Sequence, residues 1–154
     1  MQGEFYRMET DRQSIFKADK DAAYFNRLGQ GNLPEQMGIE ILALEANQVK
    51  GRVAITESHL APNGILHAAV ATSLADVCCG YGTIASLPEG AQGHATIELK
   101  CNFVGTANKG VIVCVAAPLH FGKTTQVWDA TVFQEADNRP VAHFRCTQII
   151  FWPR

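Results

Sequence analysis

The period of the hydrophobic positions changes twice along the chain. From Ser14 to Leu28, in SIFKADKDAAYFNRL, Ile15, Ala18, Ala22, Phe25 and Leu28 recur at helical spacing before Gly29 and Gly31 stop the pattern. This predicts an N-terminal helix within a helical extension over about residues 1–32. Ile39 to Leu44 (IEILAL) and Val49 to Ile55 (VKGRVAI) read as two strands about the turn Ala46-Asn47-Gln48, antiparallel because the loop is so short. Ile65 to Gly82 is the long helical pattern in the middle of the chain. At about 100° per residue, Leu66, Val70, Leu74, Val77 and Tyr81 form one apolar stripe. Small residues, Ala68, Ala69, Thr72 and Cys79, group on the other side around a single carboxylate, Asp76.

Beyond the Gly/Pro-rich loop Leu87 to Gly93 the period becomes two. Ile97, Leu99, Cys101 and Phe103 alternate with Thr96, Glu98, Lys100 and Asn102, a strand with one polar face. Val111 to Ala117, Thr125 to Phe133 and Val141 to Trp152 read as three further strands, separated by turns at Phe121-Gly122-Lys123 and Ala136 to Pro140. Short connections between the late strands predict an antiparallel meander. The expected fold is α+β: a long central helix wrapped by one curved antiparallel sheet of about six strands, with an N-terminal helix, as one domain over residues 1–154. A single-layer sheet leaves edges and an uncovered helix face, which dimerisation would cover.

Composition narrows the function classes. The 154 residues carry 13 Lys and Arg against 15 Asp and Glu, a net charge of -2, which argues against a polyanion-binding surface. Neither nucleic acid nor a membrane is an expected partner: the longest nearly pure apolar run, Gly110 to Leu119, is about half a bilayer span, and no signal-like segment opens the chain. Cys78, Cys79, Cys101, Cys114 and Cys146 contain no Cys-x-x-Cys pair, so they read as packing residues of a reducing cytoplasm. His59, His94, His120 and His143 show no metal-ligand spacing, and no metal is expected. Asp129, within TQVWDATVF, reads as outward-facing.

The densest polar cluster is HLAPNGILHAA, His59 to Ala69, feeding into the central helix. The first amides of a helix have no intrahelical partner and lie at its positive end, so they can hold a developing oxyanion. A carboxylate on the same helix can act as nucleophile or as general base on water. His67 and Asp76 are nine residues apart, roughly 13 Å along one helix, too far to share one reacting carbon. Two antiparallel copies of the helix about a two-fold axis would bring His67 of one chain near Asp76 of the other, and the small-residue face permits that approach.

These residues carry a resemblance. HLAPNGILHAAVATSLADVCCGYG is similar to the signature of hotdog-fold acyl-CoA thioesterases of the phenylacetate-pathway (PaaI-like) type, in which Gly-x-x-His-Gly-Gly starts the central helix and an acidic residue follows the histidine by nine. The order of elements along most of the chain resembles the hotdog order. The resemblance implies hydrolysis of an acyl-CoA to free CoA and a carboxylic acid, with Asp76 as nucleophile or base. It also implies an oxyanion site at the Ala68 N–H beside His67 and a water-positioning hydroxyl at Thr96. Coenzyme A would be part of the substrate, with no separate cofactor, and its nucleotide half would meet Gly122, Lys123 and Thr124. The implied assembly is a homodimer at least, or a homotetramer, with shared sites. Two positions depart: Ala68-Ala69 replaces Gly-Gly, and Ala61 stands where asparagine is frequent, with Asn63 as its substitute two residues on. Those departures keep a non-catalytic acyl-CoA-binding module as the alternative. A hotdog dehydratase or hydratase is the lesser one, since neither of their loop motifs occurs. Phe103, Phe121 and Trp128 would suit either an aromatic-tolerant pocket or the core.

Overall fold

Two successive left-handed residues, Ala46 (φ 48°) and Asn47 (φ 58°), turn the chain between strands β1 (Ile39–Glu45) and β2 (Gln48–Ala54). That pair is the two-residue turn whose twist matches a hairpin. The computed structural model describes residues 14–154; the first thirteen residues of the expected N-terminal extension lie outside the described part. Within it, the expected helix from Ser14 is shorter, α1 (Ala22–Leu28). Asp21 sets its start by accepting the Tyr24 N–H at 2.7 Å. Upstream, the Lys17 N–H is drawn instead to the Ala85 carbonyl (2.9 Å), so Ile15 and Phe16 pack against the core from turns rather than a helix. A short helix, α2 (Leu33–Gln36), follows.

The central helix, α3 (Ala68–Ala85), is followed by β3 (Gly93–Phe103), β4 (Val111–Phe121), β5 (Thr125–Gln134) and β6 (Pro140–Phe151). All six strands form one antiparallel sheet in the order β1-β2-β4-β5-β6-β3. The meander expected of the four late strands therefore holds for β4, β5 and β6 alone. The chain from β3 crosses over, β4 pairs with β2, and β3 becomes an edge beside β6. The other edge is blunted at β1, where Asn26 of α1 imitates a strand: its Nδ2 donates to the Ile41 carbonyl (2.9 Å) and its Oδ1 accepts the Ile41 N–H (2.8 Å).

The sheet wraps α3, and small residues decide which face of the helix meets it. Val70, Ala71, Leu74, Ala75, Cys78, Cys79 and Gly82 are buried, while Val77 and Tyr81 of the expected stripe are only half-buried. A Cβ on Gly82 would overlap the Trp128 ring, and one on Gly51 would stand 2.8 Å from Cys78 Sγ. The interior face is thus rotated from the one that large side chains alone suggested, and Cys79 belongs to it rather than to the open face. Trp128 is fully buried, which settles it as core. By length and apolarity α3 could cross a membrane, and it is half buried within the fold, where it forms the core.

A bulge in β3 matters for everything that follows. Pairing with β6 slips between Thr96 and Glu98, leaving Ile97 as the extra residue. His94 and Thr96 pair with Ile150 and Gln148, and Leu99, Cys101 and Phe103 pair with Cys146, Phe144 and Ala142. Directly opposed residues project to one side, so the slip puts Thr96, expected among the polar residues, on the same helix-facing side as Leu99, Cys101 and Phe103.

Candidate active site

Asp76 lies where the buried arc of α3 meets its open arc, facing β3. Thr96 Oγ1 is 3.1 Å from Asp76 Oδ1 and donates to it. The same hydroxyl is 3.0 Å from Gln148 Oε1 on β6. Partial burial pushes the Asp76 carboxyl above the ordinary carboxylate value, with the Thr96 hydrogen bond and the charge of His94 opposing that rise. His94 stands two residues before Thr96, its Nε2 close over Gly80, one turn beyond Asp76. Burial favours its neutral form, and Asp76 pulls the other way. The expected role for Asp76 thus comes with a hydroxyl donor in place and a histidine that sequence reasoning missed. Its signal was the two-residue alternation with Thr96 on one strand.

The other end of α3 is built by the loop before it. A 3-10 turn at Glu57–His59 buries His59, whose Nδ1 accepts the Thr56 N–H (3.2 Å). The His59 carbonyl then accepts the His67 N–H (2.9 Å), and Leu66 N–H reaches the Ala107 carbonyl (2.7 Å). These bonds fix the helix start. His67 is its N-cap: Nδ1 accepts the Ala69 N–H at 3.0 Å, and the His67 carbonyl accepts the Val70 N–H at 3.0 Å. The Ala68 N–H has no acceptor among the described residues. It is therefore free to polarise an incoming carbonyl oxygen. Asn63 is exposed and turns back on its own loop, with Oδ1 accepting the Ile65 N–H (3.3 Å).

Within one chain the structure brings Asp76 and Thr96 together and leaves His67, Ala68 and Asn63 at the far end of the helix. Gly122, Lys123 and Thr124 form the β4–β5 hairpin tip, and its position is informative. Thr125 pairs with Ile149 and Gln126 with Gln148, whose other partner is Thr96. The hairpin thus stands at the Asp76 end of the sheet, two strands away from Thr96. The Trp152 Nε1–H donates to the Lys123 carbonyl (3.0 Å), and Lys123 Nζ lies 5.3 Å from the centre of the Trp152 ring. Gly122 is needed there, since a Cβ would come within 2.8 Å of the Thr125 carbonyl.

Beside the Asp76 niche runs uncovered apolar surface. Leu99 and Phe103 are on the helix-facing side of β3 yet 44% and 48% exposed, and Ala68 and Ala69 are exposed next to them on the chain's open helix face. Phe121 is likewise exposed, at the hairpin. Asp129 faces outward and is paired with Arg145, whose Nη2 donates to Oδ2 at 2.7 Å. No group of three His, Cys, Asp or Glu side chains is arranged to hold a metal among the described residues.

Comparison with known proteins places these features in company. The sequence profile of the thioesterase superfamily matches residues 63–141. The chain is 30% identical over 115 residues to a 1,4-dihydroxy-2-naphthoyl-CoA hydrolase of Listeria monocytogenes, covering 75% of this chain and 92% of that one. It is 24% identical over 127 residues to the proofreading thioesterase EntH of Cronobacter turicensis, covering 81% and 90%. The crystal structure of a mutant thioesterase from Pseudomonas aeruginosa superposes with a TM-score of 0.85 at 21% identity, covering 90% and 99%.

Proposed function

Because the chain belongs to the thioesterase superfamily, with the hotdog fold and the thioester-hydrolase activity of that family, we propose that its substrate is an acyl-CoA and that Asp76 is the reacting carboxylate. Water and the thioester give a carboxylic acid and the CoA thiol. Asp76 either attacks the thioester carbon or takes a proton from the water that does. The observation that carries this reading is the Asp76–Thr96 pair: a half-buried carboxylate raised above its ordinary value, held by a hydroxyl donor, beside open apolar surface. A carboxylate so raised is a better base than a solvated one.

The oxyanion donor comes from a second copy. Ala68 N–H of one chain meets the carbonyl oxygen while Asp76 of the other reaches the carbon, because one helix holds the two roughly 12 Å apart. Leu99 and Phe103, with Ala68 and Ala69, supply the contact surface and part of the acyl pocket. The CoA nucleotide lies on the hairpin with Lys123 against a phosphate, which the shared end of the sheet makes geometrically direct. The assembly is a homodimer or a pair of them, and free buried thiols suit a cytoplasmic setting.

Thiol release from a panel of acyl-CoAs tests the reading, with Asp76→Asn beside the wild type. Loss of release in the variant on every substrate is expected; equal rates would remove Asp76 from the mechanism. A strictly monomeric active enzyme, measured by light scattering, would remove the shared site.

A further inference from the structure

A row of polar side chains runs beneath α3. Gln126 of β5, Gln148 of β6 and Thr96 of β3 are successive cross-strand partners, so all three project toward the helix. Both glutamines are completely buried. A buried amide is costly unless both of its ends are bonded. The Trp128 Nε1–H donates to Gln126 Oε1 (2.9 Å), and Gln126 Nε2 is left without an acceptor among the described residues.

Thr96 presents a conflict. Its single hydroxyl proton has two acceptors in reach, Asp76 Oδ1 at 3.1 Å and Gln148 Oε1 at 3.0 Å, and it serves one at a time. At its other end Gln148 Nε2 is 3.2 Å from Cys146 Sγ. An amide has the same shape either way round. Turned end for end, Gln148 gives a proton to Thr96 Oγ1 and accepts the Cys146 S–H with its oxygen. Cys79 of α3 is buried beside the row, and burial keeps its thiol protonated.

We propose that Gln148 is a positioning residue: its side-chain amide donates to Thr96 Oγ1 and thereby commits the one hydroxyl proton of Thr96 to Asp76. The inference rests on the reading of Asp76 as the reacting carboxylate. Cys146, Gln148, Thr96 and Asp76 then form one directional chain in which each group donates to the next, so the polarisation accumulates at the carboxylate. His94 of β3 is the charge-bearing group that Asp76 feels from another element. Cys101 of β3 faces Thr72 a turn away, and Cys114 of β4 faces Cys78 on the opposite side of α3. From β5 and β6 the row contributes Gln126, Gln148 and Cys146.

Two measurements test the assignment. In wild-type protein carrying 15N in its glutamine amides, NOEs from the Gln148 amide protons to Thr96 are expected. NOEs to Cys146 without any to Thr96 would overturn the assignment, and this readout needs no variant to fold. Gln148→Met keeps the side-chain length and removes the donor. The acid limb of log kcat/KM should move up by about half a pH unit, with no further movement in a Thr96→Val background. An unmoved limb, or equal movement with and without Thr96, assigns Gln148 to packing. Asp76→Asn separates the two ideas: full activity there refutes the catalytic reading, and the NOEs still decide where the amide points.

Discussion

The two ends of the helix-borne site solve opposite problems. At the His67 end, everything is backbone and solvent: a capped helix start, an unengaged Ala68 N–H and exposed alanine methyls. Around Asp76 the site is side chain and interior, with a carboxylate pressed against β3 and backed by a buried polar row. The first end offers a backbone donor for developing charge and no carboxylate; the second offers a carboxylate that already holds a hydroxyl donor. The rigid helix between them keeps the two ends apart within one chain. It acts there as a spacer, and in the proposed reading the other end is supplied by a second copy of it.

The largest effect that could break this contrast is at Asp76. Asp76→Asn should lower kcat/KM by about 10³-fold or more in a thiol-release assay, while raising thermal stability. The sign follows from the raised carboxyl: it stabilises the fold only while protonated, below the ordinary carboxylate value. That contribution is lost as pH rises through the raised value, so at neutral pH the ionised group works against folding. A variant that is both inactive and less stable would mean the carboxylate is structural.

Next in size is the division between chains. Proline at position 68 removes the N–H and is tolerated at the first residue of a helix, so Ala68→Pro should fold and lose about 100-fold in kcat. Mixed with Asp76→Asn subunits after unfolding and refolding together, it should recover about a quarter of wild-type activity. Random pairing makes half the dimers mixed, and each mixed dimer has one intact site of two. No recovery would place both groups in one chain's site.

How far all this was legible in the sequence follows the same line. The nine-residue spacing from His67 to Asp76 is a local, helical fact, and it was read directly. The six strands were legible from their hydrophobic runs and turn residues, while the turn expected over Ala46-Asn47-Gln48 is one residue shorter, because Gln48 already pairs with Glu45 as the first residue of β2. What escaped depends on long-range pairing. The bulge at Ile97 reverses the facing of His94 and Thr96 relative to Leu99, and no period in the sequence marks it. The placement of β3 beside β6 is equally non-local, and only that neighbour puts Gln148 behind Thr96. The helix expected from Ser14 failed because Ala85 of α3 offers the Lys17 N–H a better acceptor than the preceding turn does.

Thr96→Val sharpens the contrast at the Asp76 end. Losing the hydroxyl removes the interaction that lowers the Asp76 value and leaves burial unopposed by it. The acid limb of kcat/KM should rise, and activity at neutral pH should fall about 10-fold, as expected for one hydrogen bond to a partly solvated charge. Thr96→Ser should restore both. A downward shift of the limb would mean that Thr96 donates to Gln148 and not to Asp76.

The smallest effect tests whether the hairpin belongs functionally to the Asp76 end. Lys123 is exposed and rests over Trp152, so its ammonium is poised by a loose contact and not by a built cage. A lysine of this kind contributes a screened point charge to phosphate binding. Lys123→Ala should raise KM for acyl-CoA about 5-fold with kcat unchanged, and the difference should shrink as salt is added. Acyl-pantetheine thioesters, which lack the nucleotide, should be hydrolysed equally by both proteins. If Lys123→Ala lowers kcat instead, or discriminates against the truncated substrate, the hairpin acts on the reacting end and the assignment of the nucleotide to it is wrong.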